Sequence, residues 1–377
     1  MKDLIYKILD IFLKLLAIII PVKKNKILFL SKVSTGSNTT IVAARIKEER
    51  PELTIVEMDR GYKFEGIRTW LKEKIRLYYH ALTSKIIVTT HGPLIKTHKN
   101  ININLWHAFP TKKTGLMLDD ISVRRIQNST DYFLSYSTFS SVLLNSRNGI
   151  KGSKYIELGS PRNDYLFENN RHKFNYLDKY RGSKIVYYLP TYREQEHEIK
   201  FPSKYLRFPL FNFEKFNNFL RDNGINFIVK FHPKEEHKML NSIDFAKYSN
   251  IILLKEEYLD EGFTDFYEIL PHSDILITDY SSIYADYLLL DKPMIFTPTD
   301  IEEYNQDRGL LLEPYEFWRP GPICMRQENL QEELLKCLND NNYYEKEREI
   351  IKMIFHKYDD GKSTERVIDF ISSKLSF

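Results

Sequence analysis

Short, continuously apolar runs alternate along this chain with longer polar stretches of helical character, and this alternation constrains the fold more than any other feature. Such runs, rich in Ile, Val, Leu, Tyr and Phe, are typical of strands that are buried on both faces. Strands that alternate with helices form parallel sheets, because each helix carries the chain back across its sheet. The predicted strands are Lys26–Leu30, Leu53–Met58, Lys85–Thr90, Asn102–Trp106, Tyr132–Ser135, Tyr155–Leu158, Lys184–Leu189, Asn226–Phe231, Ile251–Leu254, Asp274–Thr278 and Met294–Thr297.

The alternation occurs on both sides of a polar segment, Glu168–Arg181, that has few apolar residues. We therefore predict an α/β fold of two doubly wound, Rossmann-like domains, an N-terminal domain over 22–170 and a C-terminal domain over 171–377. A length of 377 residues with 42% apolar content suffices for two such cores. The last segment, Gln331–Leu375, is predicted as helices of the second domain with a break at 359–361.

Residues 1–21 form a separate predicted segment, an amphipathic helix at a membrane surface. Its apolar run, Leu4–Ile20, is interrupted by charges at helical spacing (Lys7, Asp10 and Lys14), and each would cost about 2.5–3.5 kcal/mol at the centre of a spanning helix. An in-plane helix keeps those charges in water, and the following Lys23, Lys24 and Lys26 could meet anionic head groups. The alternatives are packing on the protein's own core and a true membrane span or signal peptide.

Composition excludes several classes of protein. The net charge is +4, with lysines and arginines scattered among 51 acids, so no basic face for nucleic acid is expected. Two cysteines, Cys324 and Cys337, provide neither a disulfide framework nor metal-ligand spacing, and reduced thiols in the cytoplasm are expected. The sequence contains no glycine-rich nucleotide loop, no G-x-S-x-G elbow and no Asp-x-Asp metal motif of the nucleotide-sugar type, so we expect no obligatory metal or cofactor.

Polar residues follow several predicted strands at their carboxyl ends, where ligands bind to open parallel sheets. Any of these side chains could therefore face a common cleft. They are His91, His107, His232, Asp279, Ser281 and Ser282.

Ser281 and Ser282 lie in a turn between the strand Asp274–Thr278 and a predicted helix that ends before Pro293. Free amides at a helix start, together with two hydroxyls, would bind an anion such as a phosphate. The alternative is a plain N-cap serine. His232 could likewise donate to a diphosphate or have a structural role.

The segment Trp106–Lys113 combines a histidine with two lysines. A histidine with a near-neutral pKa suits a general base that deprotonates a hydroxyl. Lys112 and Lys113 could hold an anionic acceptor, and His91 lies on the same predicted rim. The alternative is a turn with a solvated lysine pair.

Taken in order, these segments resemble the CDP-glycerol glycerophosphotransferase family, which includes teichoic acid primases and polymerases. The resemblance spans roughly 101–371 and rests on several segments that are weak singly and specific together. They are Trp106-His107-x-x-Pro110-x-Lys112-Lys113-x-Gly115, Gly159-Ser160-Pro161-Arg162-Asn163-Asp164, Leu189-Pro190-Thr191-Tyr192-Arg193, His232-Pro233, Thr278-Asp279-Tyr280-Ser281-Ser282 with Asp286, Arg308-Gly309, Pro320-Gly321-Pro322, and Asp359-Asp360-Gly361-Lys362 with Arg366.

The resemblance implies a GT-B arrangement with the active site in the interdomain cleft, the N-terminal domain holding the acceptor and the C-terminal domain the CDP donor. It implies attack by an acceptor hydroxyl on the donor's β-phosphorus, with release of CMP. His107 would take the proton, and His232 would act beside it on the diphosphate. The implied donor-binding residues are Arg193, Asp279, Ser281, Ser282, Asp286 and Arg308; Arg162 and Asp164 are expected to be structural turn residues.

Ala108-Phe109 departs from the Gly-Thr that is usual in the family, and we expect it to change the floor beside His107. The donor would be CDP-glycerol or CDP-ribitol, and the acceptor a lipid-linked wall teichoic acid or capsule polymer at the cytoplasmic face of the membrane. The sequence does not choose between the polyols or between one added unit and many, and it does not indicate an oligomeric state. The alternatives are a GT-B nucleotide-sugar glycosyltransferase and a non-catalytic, membrane-bound scaffold.

Overall fold

The computed structural model of the chain describes residues 2–31, 36–59, 66–91, 95–120, 123–168, 179–180, 182–192, 206, 208, 210–232, 235–237, 243–261 and 265–375; for residues 2–10, 260, 261 and 307 it describes the backbone alone. Every predicted strand is present within three residues of its expected ends. All strand pairings within the two sheets are parallel, which confirms the predicted α/β class.

The first sheet is six-stranded, in the order β2-β1-β3-β4-β5-β6. Its central strand β1 sends alternate residues to opposite faces, so Ile27 and Phe29 join one apolar cluster while Leu28 and Leu30 join another. This two-sided burial is why the strand reads as one continuous apolar run. The strands are β1 (Lys23–Ser31), β2 (Thr54–Asp59), β3 (Ser84–Thr89), β4 (Ile101–Asn104), β5 (Tyr132–Ser135) and β6 (Tyr155–Glu157).

The second sheet is five-stranded, in the order β11-β10-β7-β8-β9. Val186, Phe227 and Ile277 belong to the cluster on one of its faces, against which helical Phe216 and Leu330 pack. The central strand β7 lies between β10 and β8, so residues that follow these three strands share one edge. The strands are β7 (Lys184–Tyr188), β8 (Ile225–Val229), β9 (Ile251–Leu253), β10 (Ile275–Thr278) and β11 (Met294–Phe296).

Helices follow most strands, as the alternation predicts. The α-helices of the described residues are α1 (Lys2–Ile19), α2 (Asn38–Glu49), α3 (Ile67–Thr83), α4 (Val123–Ser129), α5 (Thr138–Asn148), α6 (Phe213–Asp222), α7 (Glu256–Glu261), α8 (Phe266–Ile269), α9 (Ile283–Tyr287), α10 (Ile301–Asp307), α11 (Gln327–Asn339), α12 (Glu345–Phe355) and α13 (Ser363–Leu375). Short 3-10 turns are Gly115–Leu118, Gly152–Lys154, Pro161–Phe167, Phe245–Lys247, Leu270–His272 and Leu288–Leu290.

The chain divides into two compact units whose boundaries differ from the predicted ones. The first contains Met1–His107, Thr114–Tyr165 and His356–Phe377; the second contains Ala108–Lys113 and Leu166–Phe355. Two assignments therefore need correction. Helix α13, predicted for the second domain, packs Val367 and Ile371 into the core of the first unit. The segment Ala108–Lys113, predicted for the first domain, belongs to the second unit.

Hydrogen bonds and packing explain why α13 returns to the first unit. Buried Asp164 accepts hydrogen bonds from the amides of Ser363 (2.9 Å) and Thr364 (2.6 Å), which are the first residues of the helix. Gly159 has φ +80°, and a Cβ atom there would lie 2.4 Å from the Ser363 hydroxyl oxygen. Burial raises the pKa of Asp164 despite these hydrogen bonds. The segment Gly159–Asp164 therefore docks the C-terminal helix.

The N-terminal helix α1 packs one side on the first unit and exposes the other. Leu13 and Ala17 are buried in the same cluster as Leu77 and Ala81 of α3, as the internal-packing alternative expects. Other apolar side chains of α1 are exposed, by 58% at Leu15 and more at Ile18 and Ile19. Across the part of the chain that is described, no helix has both the length and the apolarity needed to cross a bilayer.

Lys26 does not join the predicted basic cluster behind α1. It is buried in β1, and its ammonium donates to the Thr83 hydroxyl (2.6 Å). Burial, with a smaller contribution from Lys23, lowers its pKa. Only Lys23 and Lys24 of the predicted cluster are exposed.

Candidate active site

His107 lies just beyond β4 in the first unit, and its ring has a defined hydrogen-bonding orientation. Nδ1 lies 3.0 Å from the carbonyl oxygen of Thr90, which can only accept, so Nδ1 carries the proton. In a neutral ring, Nε2 is then the basic nitrogen. The residue that precedes it, Trp106, has a φ of +50°, a left-handed conformation that is costly for a bulky residue. The local backbone must therefore be held by its surroundings.

Asn38, at the start of α2, does much of this holding. Its amide nitrogen donates to the carbonyl oxygens of Leu105 (2.9 Å) and Trp106 (3.1 Å). Its amide oxygen accepts from the Ser160 hydroxyl and the Arg162 amide, both at 3.0 Å. The side chain is 1% exposed, so all four hydrogen bonds are shielded from water.

Arg162 contacts the same backbone from the other side. Its buried guanidinium donates to the carbonyl oxygen of His107 through Nη1, and to that of Gly36 (3.3 Å). The side chain thus fixes the peptide that carries the candidate base. The expectation that Arg162 is a turn residue understates its contacts, while Asp164 has the structural role that was expected.

His91 follows β3 and stacks on His107. The ring centroids are 4.0 Å apart and the planes differ by 7°. Thr90 contacts both rings, because its hydroxyl lies 2.8 Å from His91 Nδ1 while its carbonyl accepts from His107. The two histidines are therefore brought together as predicted from their strand ends, and His91 supports the ring of His107.

In the second unit, His232 follows β8 and is solvent-exposed. Its ring stacks on that of Tyr192, with centroids 4.9 Å apart and an interplanar angle of 28°. Tyr192 and Thr191 follow β7, the neighbour of β8 in the sheet. The predicted rim at this edge of the second sheet is thus assembled from adjacent strands.

Ser281 and Ser282 follow β10 on the same rim and are half-buried. Helix α9 behind them is one short turn of five residues, and a 3-10 turn continues it. The Ser281 hydroxyl accepts a long bond from the Ile283 amide (3.4 Å), which is the capping contact of the alternative interpretation. Ser282 makes no side-chain capping bond. Its hydroxyl is therefore the better placed of the two to meet a ligand.

The two carboxylates predicted to bind the donor are buried. Asp279 is 0% exposed and accepts hydrogen bonds from the amides of Thr191 (2.8 Å) and Tyr280. It therefore ties the loop after β7 to the loop after β10. Asp286 is also 0% exposed and accepts from the Tyr267 hydroxyl (2.7 Å). This geometry favours structural roles for both residues over direct contact with a polyol.

Lys112 and Lys113 lie in the second unit, beside Arg308, although the sequence assigned them to the first domain. Lys112 forms an antiparallel bridge with Leu310, and the Lys113 amide donates to the Gly309 carbonyl (3.2 Å). Arg308 is half-buried at the end of α10. The prediction that these lysines hold the acceptor in the first domain is not supported by their location.

Phe109, part of the departure from the family pattern, packs in an aromatic cluster of the second unit. It is 2% exposed and stacks on Phe355 of the second unit, with ring centroids 4.0 Å apart. Phe355 in turn lies 6.0 Å from the Trp318 ring. The substitution is thus accommodated within an aromatic core.

Arg193, the remaining predicted donor-binding residue, lies outside the described residues. Among the residues that the structure does describe, no group of three or more His, Cys, Asp or Glu side chains is arranged to hold a metal ion. The role of Asn38 was not predicted from the sequence, because its hydrogen-bond partners lie 67 to 124 residues away along the chain. A buried side-chain amide that hydrogen-bonds to distant segments leaves no pattern in the sequence around it.

A family model described as CDP-glycerol:poly(glycerophosphate) glycerophosphotransferase matches residues 12–373. The chain is 30% identical, over 92% of its length, to the teichoic acid ribitol-phosphate polymerase TarL of Staphylococcus aureus, of which it covers 62%. It is 29% identical to the teichoic acid glycerol-phosphate primase of Bacillus subtilis, with 80% of this chain and 77% of the primase covered. Of the poly(ribitol-phosphate) polymerase of Bacillus spizizenii it spans 57%, so polymerases of this kind are considerably longer.

Solved structures show the same fold. The wall teichoic acid polymerase TagF superimposes with a TM-score of 0.75 at 22% identity, covering 94% of this chain and 90% of that one. MnaA from S. aureus, solved with UDP, gives a TM-score of 0.59 at 14% identity, covering 93% and 97%.

Proposed function

Because the chain belongs to the CDP-glycerol:poly(glycerophosphate) glycerophosphotransferase family, we propose that it transfers a polyol phosphate from a CDP-activated donor to an acceptor hydroxyl. The new bond joins the acceptor oxygen to the donor's β-phosphorus. The bond that breaks joins that phosphorus to the bridging oxygen, which leaves with CMP. The GT-B arrangement that the resemblance implies, with the reaction in a cleft between the domains, is part of this proposal.

The observation that carries the proposal is the fixed tautomer of His107. With Nδ1 donating to the Thr90 carbonyl, Nε2 is the ring nitrogen that would accept the proton of an attacking hydroxyl. The hydrogen bonds of Asn38 and Arg162 to the adjacent carbonyls limit movement of the ring. A base that is held in place contributes about 10²- to 10⁴-fold to such a reaction.

On the donor side, His232, Ser282 and Arg308 are the polar side chains that we assign to the diphosphate. Side chains that donate hydrogen bonds or carry positive charge stabilise the negative charge that develops on the leaving CMP. His232 is exposed at the end of β8, and its ring stacks on that of Tyr192. Arg193 remains a predicted contact.

We propose that the transferred group is glycerol phosphate or ribitol phosphate. A relative named for glycerol phosphate and one named for ribitol phosphate match this chain at comparable identity. The acceptor would be a lipid-linked chain of wall teichoic acid or capsule.

We further propose that α1 and α3 rest on the cytoplasmic face of the membrane. Both expose apolar side chains, including 63% of Ile18 and 44% of Trp70, and their buried residues Leu13 and Leu77 belong to one apolar cluster. Lys99 donates to the Ile18 and Ile20 carbonyls (3.0 and 3.3 Å), which fixes the end of α1. Exposed basic residues of α1, α3 and the start of β1 suit anionic head groups; they are Lys14, Lys23, Lys24, Arg68, Lys72 and Arg76.

Flotation with vesicles tests this surface. Deleting residues 1–21 would expose the cluster around Leu28 and Leu77, so single substitutions are cleaner. Ile18→Glu and Ile75→Glu should each reduce flotation with phosphatidylglycerol vesicles, and Val142→Glu, exposed to 62% elsewhere on the first unit, should not. Equal flotation of all variants would overturn the membrane assignment.

The proposed reaction is tested by incubating the purified protein with an acceptor and, separately, CDP-glycerol, CDP-ribitol and a UDP-sugar. CMP release from a CDP-polyol, dependent on the acceptor, is the expected result. Transfer only from the UDP-sugar would indicate a glycosyltransferase. Binding of a CDP-polyol without turnover on any acceptor would indicate the scaffold alternative.

A further inference from the structure

Lys112 and Lys113 are the feature of the second unit that the proposed mechanism does not use. Both belong to the short segment Ala108–Lys113, which the second unit contains although His107 directly before it belongs to the first. From their contacts we infer that these two lysines bind the phosphates of the nucleotide donor, and not the acceptor. The inference rests on the proposed function and deepens it.

The backbone of this segment is fixed against the chain that follows α10. Thr111 accepts from the Leu311 amide (3.1 Å), and the Lys113 amide donates to Gly309 (3.2 Å). Together with the bridge between Lys112 and Leu310, these bonds form a small antiparallel ribbon. The ribbon brings the two lysines next to Arg308 in one short stretch of surface.

The side chain of Lys113 passes directly over Gly309. A Cβ atom at that glycine, which has φ +73°, would lie 3.0 Å from Lys113 Cδ and 3.4 Å from Nζ. A larger residue at position 309 would therefore displace the lysine as well as strain the backbone. Within the described residues, no salt bridge neutralises the Lys113 ammonium.

Lys112 reaches the edge of the second sheet. Its Nζ lies 3.5 Å from the Thr191 hydroxyl, which follows β7, and 5.8 Å from the centre of the Tyr304 ring. Tyr304 stacks on Tyr280 at 4.1 Å, and Tyr280 directly precedes Ser281. The ammonium therefore lies on the rim to which the donor diphosphate is assigned.

The charges fit a diphosphate. Asp279, the carboxylate beside Thr191, is buried and accepts hydrogen bonds from backbone amides. Two ammonium groups and a guanidinium, all half-buried, match the two to three negative charges of about two phosphoryl groups, and lysine binds phosphate as a compact point charge. A neutral sugar or nucleobase carries no negative charge for these cations to attract.

Calorimetry with CDP and CMP tests the inference on the full chain. Lys112→Gln and Lys113→Gln should each weaken CDP binding about tenfold, as loss of a charge-assisted contact to phosphate does, and should weaken CMP binding less. Lys113→Arg should retain most of the affinity. Lys247→Gln, a side chain exposed to 71% in the same unit, is the matched control and should bind CDP normally.

Unchanged CDP affinity in both Gln variants, with a raised KM for the acceptor, would show that the lysines bind the acceptor and would overturn the inference. Failure of the unmodified protein to bind CDP at all would instead contradict the proposed function. A change in both variants that equals the change in Lys247→Gln would mark a general charge effect and would also overturn it.

Discussion

The two candidate catalytic histidines sit in contrasting surroundings. His107 has its Nδ1 tied to Thr90, its ring stacked on His91 at 4.0 Å, and its carbonyl bound by buried Arg162. His232 is exposed, and the ring of Tyr192 at 4.9 Å is its aromatic support. One histidine is built into a rigid network, whereas the other is presented on a surface.

The difference indicates different tasks. A general base must be held within a fraction of an ångström of the proton that it removes, which justifies the strained backbone of Trp106. A residue that contacts a charged ligand can adjust as the ligand arrives. Substitutions should therefore affect turnover at the first site and affinity at the second.

The largest expected effect is that of His107→Ala. Turnover should fall by about 10²- to 10⁴-fold, because the base is lost, while CDP affinity stays near that of the unmodified protein. Steady-state CMP release and calorimetry measure the two quantities. His98→Ala, an exposed histidine of the same unit, is the control. Normal turnover in a folded His107→Ala protein would remove the assigned base.

Asn38→Ala should act on His107 from a distance. It leaves the buried carbonyls of Leu105 and Trp106 without donors, which should lower the free energy of unfolding by about 1–3 kcal/mol. Displacement of the base should lower kcat roughly 10- to 100-fold with little change in the donor KM. Asn25→Ala removes one exposed hydrogen bond and should do neither. A lower melting temperature with unchanged kcat would show that Asn38 stabilises the fold but does not position His107.

His232→Ala should raise the Kd for CDP about tenfold, equivalent to about 1.4 kcal/mol. Folding should be little affected, because the ring is exposed. His237→Ala, five residues further on and also exposed, supplies the comparison. Equal affinities of the two variants would mean that His232 does not meet the donor.

The smallest effect is expected at His91. Loss of the stacked ring in His91→Ala should lower kcat about 2- to 12-fold, from a stacking energy of about 0.5–1.5 kcal/mol. His91→Phe should restore most of it if the ring acts by stacking. A raised acceptor KM in His91→Phe would instead support the acceptor contact that the sequence predicted.

The fold was predictable because its strands are buried on both faces. The buried apolar runs of strands such as β1 and β10 are continuous, so they do not show the alternating polar face of an amphipathic helix. The strand ends then placed His91 beside His107, and His232 on the rim with Ser282. These conclusions depend on periodicity and neighbouring residues alone.

What the sequence missed depends on contacts between distant segments. Asn38 reaches Arg162 across 124 residues, and α13 is docked by Asp164 across 199. Asp279 and Asp286 read as ligand-binding carboxylates until their burial is known. Lys112 and Lys113 follow strand β4 in sequence but pack beside Gly309. Burial and long-range pairing leave little local pattern, so only the structure reveals them.

The central claim, transfer of a polyol phosphate, is tested most directly by following the β-phosphorus of the donor. CDP-glycerol labelled with ³²P at the β-phosphate is incubated with the protein and an acceptor, and the products are separated. We predict that the label passes to the acceptor as an alkali-labile phosphodiester and that the nucleotide product is unlabelled CMP. In His107→Ala both products should form about 10²- to 10⁴-fold more slowly. Recovery of the label in released CDP would show that the phosphorus stays with the nucleotide, and would contradict the account.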